Sequence, residues 1–527
     1  MKMFTFNRRQ FLATAVLPSL LGSVAIRAGA SQSTPADHAL DEWIVVQRRL
    51  STNHLLQNIS PAGPVERDVE SVHIAADRLA DARRAAALSD GLVRLDGGRL
   101  RQKIVPRPGS VAGAALGKLT EPDYFFHWIR DSSLVMREFA SLYGAGPAAV
   151  TSMAEQRLAD FIRFSRELQM SAPAEGLGET RFNLDGGEDF LQWSRPQFDG
   201  PPLRALTLMY YRKMRTAPLE PDLDEALKQV IRADVDYVAA NWPRDGFDLW
   251  EEYKGHDFHA RAVQIGALRE GARWALVDHD RERADRYAAA ELRLREALED
   301  HWLPTSGYHG FLLGPRVYWD GTNRPKPGDN LDAAVVMAAL HGRLSDGRYS
   351  LLDDRILATA IRSEDVSAMR YAINARRGTD EGVLYGRYDG DNYFGGNPFA
   401  FITLEFAESH YQLATLLARR TSLAITSLNR PFFERALRRA GIRVAPEAGG
   451  DVLAHARTRH ALLRGLILRG DDILRMVKRL TPESGELPEQ YDQETGAAAS
   501  CPNLSWSHSS FLAATHARVA ALARVGP

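Results

Sequence analysis

The sequence lacks several features that would place it in a familiar class of protein. It has one cysteine, Cys501, among 527 residues, so no disulfide forms within the chain and a disulfide-stabilised scaffold is excluded. Its 66 basic and 67 acidic residues nearly cancel, so no nucleic-acid partner is indicated. No apolar run reaches the roughly 20 residues of a membrane-spanning helix, and no stable membrane anchor is expected. The 45% apolar and 25% charged contents are those of a globular chain with a large core.

Short catalytic and cofactor motifs are absent as well. There is no Walker loop, no dinucleotide glycine fingerprint, no G-x-S-x-G turn and no H-E-x-x-H zinc motif. His256 and His259 are three residues apart, but no third ligand lies nearby, so we expect surface or loop histidines and no metal. We expect Cys501 to be a buried packing residue rather than a nucleophile. No cofactor is predicted.

The first 30 residues have the pattern of an export signal. Arg8 and Arg9 precede a weakly apolar run, and Ala28-Gly29-Ala30 resembles a cleavage site. The paired arginines indicate the twin-arginine export machinery as a partner, which carries folded proteins across the membrane. We therefore expect an exported protein, periplasmic or secreted, with residues 1–30 as the signal and 31–527 as one catalytic domain.

Apolar residues recur at helical spacing along most of the chain, whereas alternating β-like runs are few and short. Tyr287, Ala290, Leu294 and Leu298 show the spacing clearly. The βαβ alternation of a doubly wound sheet or a TIM barrel is missing, so an all-α fold is predicted, compatible with a closed array of helix pairs. The periodic segments are 154–169, 203–214, 222–241, 259–276, 281–300, 331–343, 353–362, 401–420, 431–440, 452–469 and 506–524.

Five segments between these helices combine carboxylates with aromatic residues and arginines. They are 124–131, 193–201, 247–252, 387–392 and 487–492. Aromatic faces suit the apolar C–H faces of a sugar ring, and carboxylates and arginines suit its hydroxyl rim. Adjacent carboxylates such as Glu251 and Glu252 push each other's pKa apart, so that one acid stays protonated near neutral pH. Glycoside hydrolysis needs one protonated and one ionised carboxyl, so a carbohydrate-active helical protein is predicted, with the acid and the base unassigned at this point.

In these segments the sequence resembles the glucoamylase family of inverting glycoside hydrolases, family 15. The resemblance covers about 40–523. It implies an all-α (α/α)6 barrel with a pocket at one end, and release of β-D-glucose from the non-reducing ends of α-1,4-glucans, with no metal required. The blocks that carry it are DYFFHWIRDSSLV (123–135), GLGETRFNLD (176–185), WSRPQFDGPPLRA (193–205), DLWEEYKGHDFHARAVQ (248–264), GGNPFAFITLEFAESHY (395–411), LPEQYDQETG (487–496) and NLSWSHSSFLAA (503–514).

The resemblance also implies individual roles. Glu251 matches the general acid and Glu489 the general base, while Asp248 and Ser500 match groups near the acid and the base. The chain departs from the family pattern at Phe399, where tryptophan is usual, and in 65–110, which resembles an insertion near the entrance. The residues that match substrate contacts are Tyr124, Trp128, Arg130, Asp131, Trp193, Trp250, Glu252, Arg387, Asp391, Gln490 and Trp506.

Three alternatives stay open from the sequence. The same fold in relatives also cleaves trehalose or α-1,6-glucans, and divergent loops decide between these substrates. A non-catalytic glycan-binding relative would have lost one of the two predicted catalytic glutamates, and both are present. An (α/α) toroid polysaccharide lyase usually binds acidic polymers through a basic cleft, which the near-zero net charge does not favour.

Overall fold

The computed structural model describes residues 35–525 with a few gaps. The segments left out between these ends are residue 90, 115–121, 144–147, 172–174, residue 216 and 444–448. The export signal predicted for residues 1–30 therefore lies outside the described residues.

The described part of the chain is mostly α-helical. Each periodic segment identified in the sequence lies within or overlaps one of its helices, so the helix-rich prediction is confirmed. The helices are α1 (Pro35–Asn58), α2 (Leu79–Leu88), α3 (Ile129–Leu142), α4 (Ala148–Met170), α5 (Gly200–Met214), α6 (Pro221–Asn241), α7 (Phe258–Val277), α8 (Arg281–Leu298), α9 (Ala334–His341), α10 (Asp354–Arg370), α11 (Ala372–Ala375), α12 (Ala400–Leu417), α13 (Arg430–Arg439), α14 (Ala456–Leu480) and α15 (Ser505–Val525).

Six helices form a closed inner ring. In order around the ring they are α3, α5, α7, α9, α12 and α15, and α15 packs against α3 to close it. The helices α4, α6, α8, α10, α14 and α1 lie outside this ring and alternate with its members along the chain. The result is an (α/α)6 barrel, which confirms the predicted fold class.

Burial differs between the two rings as this arrangement requires. All eight residues of the inner helix α9 are buried. The outer helix α8 instead buries one stripe, from Ala284 to Leu298, and exposes its charged face. The inner helix α3 buries polar residues such as Arg130 and Glu138 beside its apolar ones, and it was not among the periodic segments of the sequence.

Short strands lie in the segments that connect the helices. They are β1 (Val65–Glu70), β2 (Val93–Asp96), β3 (Arg99–Ile104), β4 (His127–Trp128), β5 (Arg181–Phe182), β6 (Gly246–Phe247), β7 (Tyr253–Asp257), β8 (Trp302–Leu303), β9 (Tyr308–His309), β10 (Leu312–Tyr318), β11 (Gln490–Tyr491) and β12 (Ala498–Ala499). The antiparallel sheet with strand order β10-β7-β6 leads directly into α7 and holds the predicted acid in the turn between β6 and β7.

The segment that departs from the family pattern forms a small sheet of its own. Strands β1 and β2 pair antiparallel with β3, and α2 packs beside them. Arg78 from this segment donates to Glu179 at 2.7 Å, and Ile74 forms a bridge to Leu191. The small sheet therefore packs against the loop that carries Trp193.

All the predicted site residues lie at one end of the barrel. They occur in segments that precede an inner helix or begin one: 124–131 before and in α3, Trp193 before α5, 248–252 before α7, 387–391 before α12, and 489–506 before and in α15. The inner helices start at this end, so the fold gathers segments that are far apart in sequence around one axis.

Candidate active site

The backbone at Glu251 is held in an unusual conformation. Its φ of 66° lies in the left-handed region, which is uncommon for a residue other than glycine. The Glu251 amide donates to the Asp248 carbonyl at 2.9 Å, the Asp248 carboxylate accepts from the Glu252 amide at 2.9 Å, and the Ser194 hydroxyl donates to the Glu251 carbonyl at 2.5 Å. Asp248 is fully buried, and this burial raises its pKa to about 7. It acts on Glu251 by shaping this turn.

The Glu251 carboxylate uses only one of its two oxygens for contacts within the protein. Oε1 accepts from Trp128 Nε1 at 2.9 Å, from Gln197 Nε2 at 3.1 Å and from the Arg130 guanidinium at 3.4 Å. Oε2 has no hydrogen-bond partner among the described residues, and the side chain is 16% exposed. Oε1 therefore anchors the group, and Oε2 remains available to a substrate.

Arg130 joins three carboxylates in the floor of the site. It is buried and pairs with Asp199 at 3.2 Å, with Glu251 at 3.4 Å and with Asp131 at 3.3 Å. Burial raises the pKa of Asp131 to about 6, even though the Arg130 charge opposes the shift. The predicted contact of Arg130 and Asp131 with a sugar stays a prediction, but both side chains lie beside the predicted acid.

Glu489 lies in a different environment. Its Oε1 accepts from the Tyr124 hydroxyl at 2.9 Å, and its Oε2 accepts from the Ser500 hydroxyl. Burial raises the pKa of the Glu489 carboxyl to about 7, and the two hydroxyl donors partly offset that effect because they favour the ionised form. The Tyr124 hydroxyl also contacts the Tyr393 hydroxyl at 2.6 Å. Burial raises the pKa of Tyr393, and the charges of Glu489 and Glu251 raise it further, so both carboxylates act on the same hydroxyl.

A third group of charges forms one wall of the site. Arg387 donates to Glu252 at 2.8 Å and to Asp391 at 2.7 Å, and the Tyr388 hydroxyl donates to Glu252. Burial favours the neutral form of Asp391, but Arg387 outweighs it and holds the pKa of that carboxyl below its usual value. Glu252 is therefore engaged by this wall while Glu251 is engaged by another set of donors, so the adjacent glutamates do not form a pair.

Two of the tryptophans predicted to contact substrate, Trp250 and Trp193, each contact a different charged residue of the protein. Trp250 donates to the Asp332 carboxylate at 2.9 Å. The Arg181 guanidinium lies 3.5 Å over the Trp193 ring, which is in turn 6.1 Å from the ring of Trp128 in an edge contact. The tryptophans next to the predicted acid are thus fixed by cations and carboxylates.

Gln490 and Trp506 are more deeply placed than a substrate contact requires. Gln490 is fully buried, and its amide contacts the Tyr393 carbonyl and the Asn397 side chain. Trp506 is 4% exposed and donates to Glu405 at 2.8 Å. The structure therefore shows both side chains contacting groups of the protein that support the pocket.

Several residues that contact the predicted catalytic pair and the site walls were not predicted from the sequence. Gln197 and Tyr388 lie inside segments already singled out, and Tyr393 directly follows one, so their neighbourhood was a usable signal. Arg181 lies in the family block 176–185, which was also a usable signal, whereas Asp332 had none, since only the fold brings this buried carboxylate to Trp250.

Two predictions about single residues have different outcomes. His259 is not on the surface or in a loop: it is fully buried in the first turn of α7, where Asp257 caps the helix, and its Nε2 lies 2.9 Å from His341. Burial lowers the pKa of His259 well below its usual value. Cys501 is buried, as predicted, and burial raises its pKa to about 12. Within the described residues no group of three or more His, Cys, Asp or Glu side chains is arranged to hold a metal ion.

Comparisons with known proteins agree with this geometry. The model of the family described as glycosyl hydrolases family 15 matches residues 101–516. A glucoamylase of Blastobotrys adeninivorans is 30% identical over 434 residues, covering 78% of this chain and 68% of the relative. Glucoamylase 1 of Rhizopus oryzae is 28% identical, covering 79% of this chain and 68% of its own length.

Solved structures show the same fold. The family 15 glucoamylase from Hypocrea jecorina superposes with a TM-score of 0.73 at 24% identity, covering 91% of this chain and 72% of its own. The glucoamylase from Saccharomycopsis fibuligera also gives 0.73, at 21% identity, covering 94% of this chain and 99% of its own.

The barrel, the carboxylates at one end of it and these similarities together define a glycoside hydrolase. The non-catalytic relative and the lyase are thereby set aside. The chain belongs to glycosyl hydrolases family 15.

Proposed function

We propose that this hydrolase is an exo-acting glucoamylase, which removes terminal α-1,4-linked glucose from the non-reducing ends of maltooligosaccharides and related α-glucans. The observation that carries the proposal is the pair of carboxylates at one end of the barrel, Glu251 with a free oxygen and Glu489 held by two hydroxyls. The relatives named glucoamylase support the same activity.

The proposed mechanism is a single displacement. Glu251 donates a proton through its free Oε2 to the glycosidic oxygen, and the bond from that oxygen to C1 breaks. Glu489 accepts a proton from a water molecule whose oxygen forms the new bond to C1 from the opposite face. The product is β-D-glucose. In such enzymes the two carboxyl groups are about 6.5–9.5 Å apart, which leaves room for the water.

The remaining contacts have roles in this mechanism. Trp128, Gln197 and Arg130 hold Glu251 in place, and Arg130 with Asp131 would grip the hydroxyls of the terminal glucose. The wall of Glu252 and Arg387 offers further charged partners for hydroxyl groups. Because every donor and acceptor is supplied by side chains, the mechanism requires no metal ion.

Proton NMR of fresh product tests the stereochemistry. Maltotriose is mixed with the enzyme and spectra are taken before the product mutarotates. We expect the β-glucose signal to appear first. If α-glucose appears first, the single displacement is wrong.

A substrate panel tests the linkage. We expect kcat/KM to be highest on maltooligosaccharides and lower on isomaltose, dextran and trehalose. A clear preference for trehalose or for an α-1,6 substrate would replace the proposed function with the corresponding activity of the same fold.

We also propose that residues 1–30 direct export, on the basis of Arg8, Arg9 and the Ala28-Gly29-Ala30 sequence. The full chain is expressed with the double change Arg8→Lys and Arg9→Lys, and the enzyme is measured in the cytoplasmic and exported fractions. We expect the variant to remain in the cytoplasm. Equal export of the two proteins would contradict the proposal.

A further inference from the structure

Among the residues that the structure describes, nearly all tryptophan and phenylalanine side chains are buried or partly buried. In the part of the chain that the structure describes, only two such side chains are more than a third exposed: Trp319 at 54% and Phe394 at 43%. Each of them lies beside a residue of the site, because Trp319 adjoins Glu252 and Phe394 directly follows Tyr393. Scattered exposed apolar residues need no explanation, but large aromatic rings exposed only beside a sugar site require one.

A backbone hydrogen bond joins Trp319 to the wall of the site. The ladder between β10 and β7 ends with Tyr318 opposite Tyr253. Trp319 follows in the turn after β10, and its amide donates to the Glu252 carbonyl at 2.8 Å. The Glu252 side chain accepts from Arg387 in the site wall. The backbone of Trp319 therefore lies at the edge of that wall, with its side chain 54% exposed.

The turn that carries Trp319 is well supported. The Tyr318 amide donates to the Thr322 carbonyl at 2.8 Å, and Thr322 in turn donates to Asp320. The Arg324 guanidinium lies 3.3 Å over the Tyr318 ring. These contacts fix the backbone on both sides of Trp319, so the turn itself needs no ordering when a sugar binds.

Phe394 is presented by a strained loop. Its φ of 47° lies in the left-handed region, which is unfavourable for a bulky side chain. Three side-chain amides hold the loop: Asn397 donates to the Phe394 carbonyl, Gln490 to the Tyr393 carbonyl and Gln493 to the Gly395 carbonyl. The Phe394 ring contacts the Tyr393 ring at 4.8 Å, and Arg387 lies over Tyr393 at 5.1 Å. Arg387 thus contacts Glu252 and Tyr393, the residues beside the two exposed rings.

We propose that Trp319, with Phe394 on the same rim, binds the sugar units on the leaving-group side of the scissile bond and so determines the preference for substrate length. The inference rests on the proposed function for its substrate class. An aromatic face covers the apolar face of a glucose unit, and binding energy from units remote from the reacting bond increases kcat/KM for longer chains.

Kinetics with substrates of increasing length test this role. We compare kcat/KM on maltose and maltoheptaose for the wild type, Trp319→Ala and Trp319→Tyr. We expect Trp319→Ala to lower the maltoheptaose-to-maltose ratio about threefold to tenfold, and Trp319→Tyr to retain most of it because an aromatic face remains. Phe394→Ala is expected to lower the same ratio by less, since its ring is smaller and less exposed.

A control separates this role from a general loss of exposed apolar surface. Leu292 is 60% exposed on the outer helix α8, and Leu292→Ala should leave the ratio unchanged. If the maltoheptaose-to-maltose ratio of kcat/KM is unchanged in Trp319→Ala, whether or not both values fall, the inference is overturned.

Binding measurements keep the inference separate from the proposed function. In the background of Glu251→Gln, the dissociation constants of maltoheptaose and maltose are measured by calorimetry with and without Trp319→Ala. A selective weakening of maltoheptaose binding supports the rim site whatever the rate of turnover, and equal Kd values in the two proteins contradict it. Failure of the wild type to release glucose from any maltooligosaccharide would instead contradict the proposed function.

Discussion

Glu251 and Glu489 are both carboxylates of one site, but the protein holds them by different means. Glu251 receives N–H donors from Trp128, Gln197 and Arg130 on one oxygen, and its other oxygen has no partner among the described residues. Glu489 receives hydroxyl donors on both oxygens. Glu251 is anchored through a single oxygen, whereas Glu489 has one hydroxyl donor on each oxygen and keeps further lone pairs that can accept a proton. The difference suggests which atom meets the substrate, since only Glu251 can turn an unbonded oxygen to the glycosidic bond.

Burial of Glu489 favours the opposite assignment of the two roles. It raises the pKa of Glu489 to about 7, so this carboxyl keeps its proton up to a higher pH than an ordinary glutamate, as a general acid would. The hydroxyls of Ser500 and Tyr124 oppose that shift and favour the ionised form that a base requires. The proposed assignment therefore depends on hydrogen bonding at Glu489, and exchanging the two roles is the alternative that burial alone favours.

The largest expected effects come from removing each carboxylate. Glu251→Gln and Glu489→Gln should each lower kcat on maltotriose by about 10²–10⁴-fold, the usual contribution of a positioned acid or base. On α-D-glucosyl fluoride, whose leaving group needs no proton, Glu251→Gln should retain most activity and Glu489→Gln should not. Initial rates of glucose and fluoride release measure both effects.

The same experiment decides between the two assignments. If Glu489→Gln is the variant that retains activity on the fluoride, Glu489 is the acid and the proposed roles are exchanged. Circular dichroism and thermal unfolding of both variants serve as controls for folding.

A second large effect, on the free energy of unfolding, is expected from Arg130, which pairs with Glu251 and not with Glu489. Arg130 is the buried cation among Asp131, Asp199 and Glu251. Arg130→Gln leaves these carboxylates without their charge partner, so the free energy of unfolding should fall by about 3–5 kcal/mol. Urea denaturation followed by fluorescence measures it.

The matched control is Arg281→Gln, which breaks an exposed pair with Asp285 and should change the free energy of unfolding by about 0.5 kcal/mol or less. A similar small change in Arg130→Gln would contradict the view that this arginine neutralises the floor of the site.

The smallest expected effect is a shift in pH dependence on the Glu489 side. In the proposed mechanism Glu489 must be ionised to accept a proton, so its titration is expected to set the acidic limb of the kcat/KM profile, where activity rises with pH. The Ser500 hydroxyl favours the ionised form, so Ser500→Ala should move this limb to higher pH by about one unit. Measurement of kcat/KM across the pH range checks the shift.

Ser484→Ala, in an exposed turn, is the control and should leave the limb in place. A shift of the Ser500→Ala limb to lower pH would show that the hydroxyl stabilises the neutral carboxyl instead, and would count against Glu489 as the base.

Much of the fold was predictable because the spacing of apolar residues in a helix is visible within a short stretch of sequence. The stripe from Tyr287 to Leu298 is readable in the sequence and is the buried face of α8. The helix α3 was not among the periodic segments, although the five other inner helices were, and it buries Arg130 and Glu138 as well as apolar residues. Likewise the buried position of His259 follows from the ring of helices around it, which no local pattern indicates.

The candidate site divides in the same way. The sequence by itself determined which segments combine carboxylates with aromatic rings, and the family blocks indicated Glu251 and Glu489. Only the tertiary structure decided which donors each carboxylate receives, that Gln490 and Trp506 support the pocket from below its surface, and that Trp319 lies beside Glu252. The physical reason is that hydrogen bonds and burial at the site join residues from different inner helices, whereas sequence patterns reflect only the contacts of residues that are close along the chain.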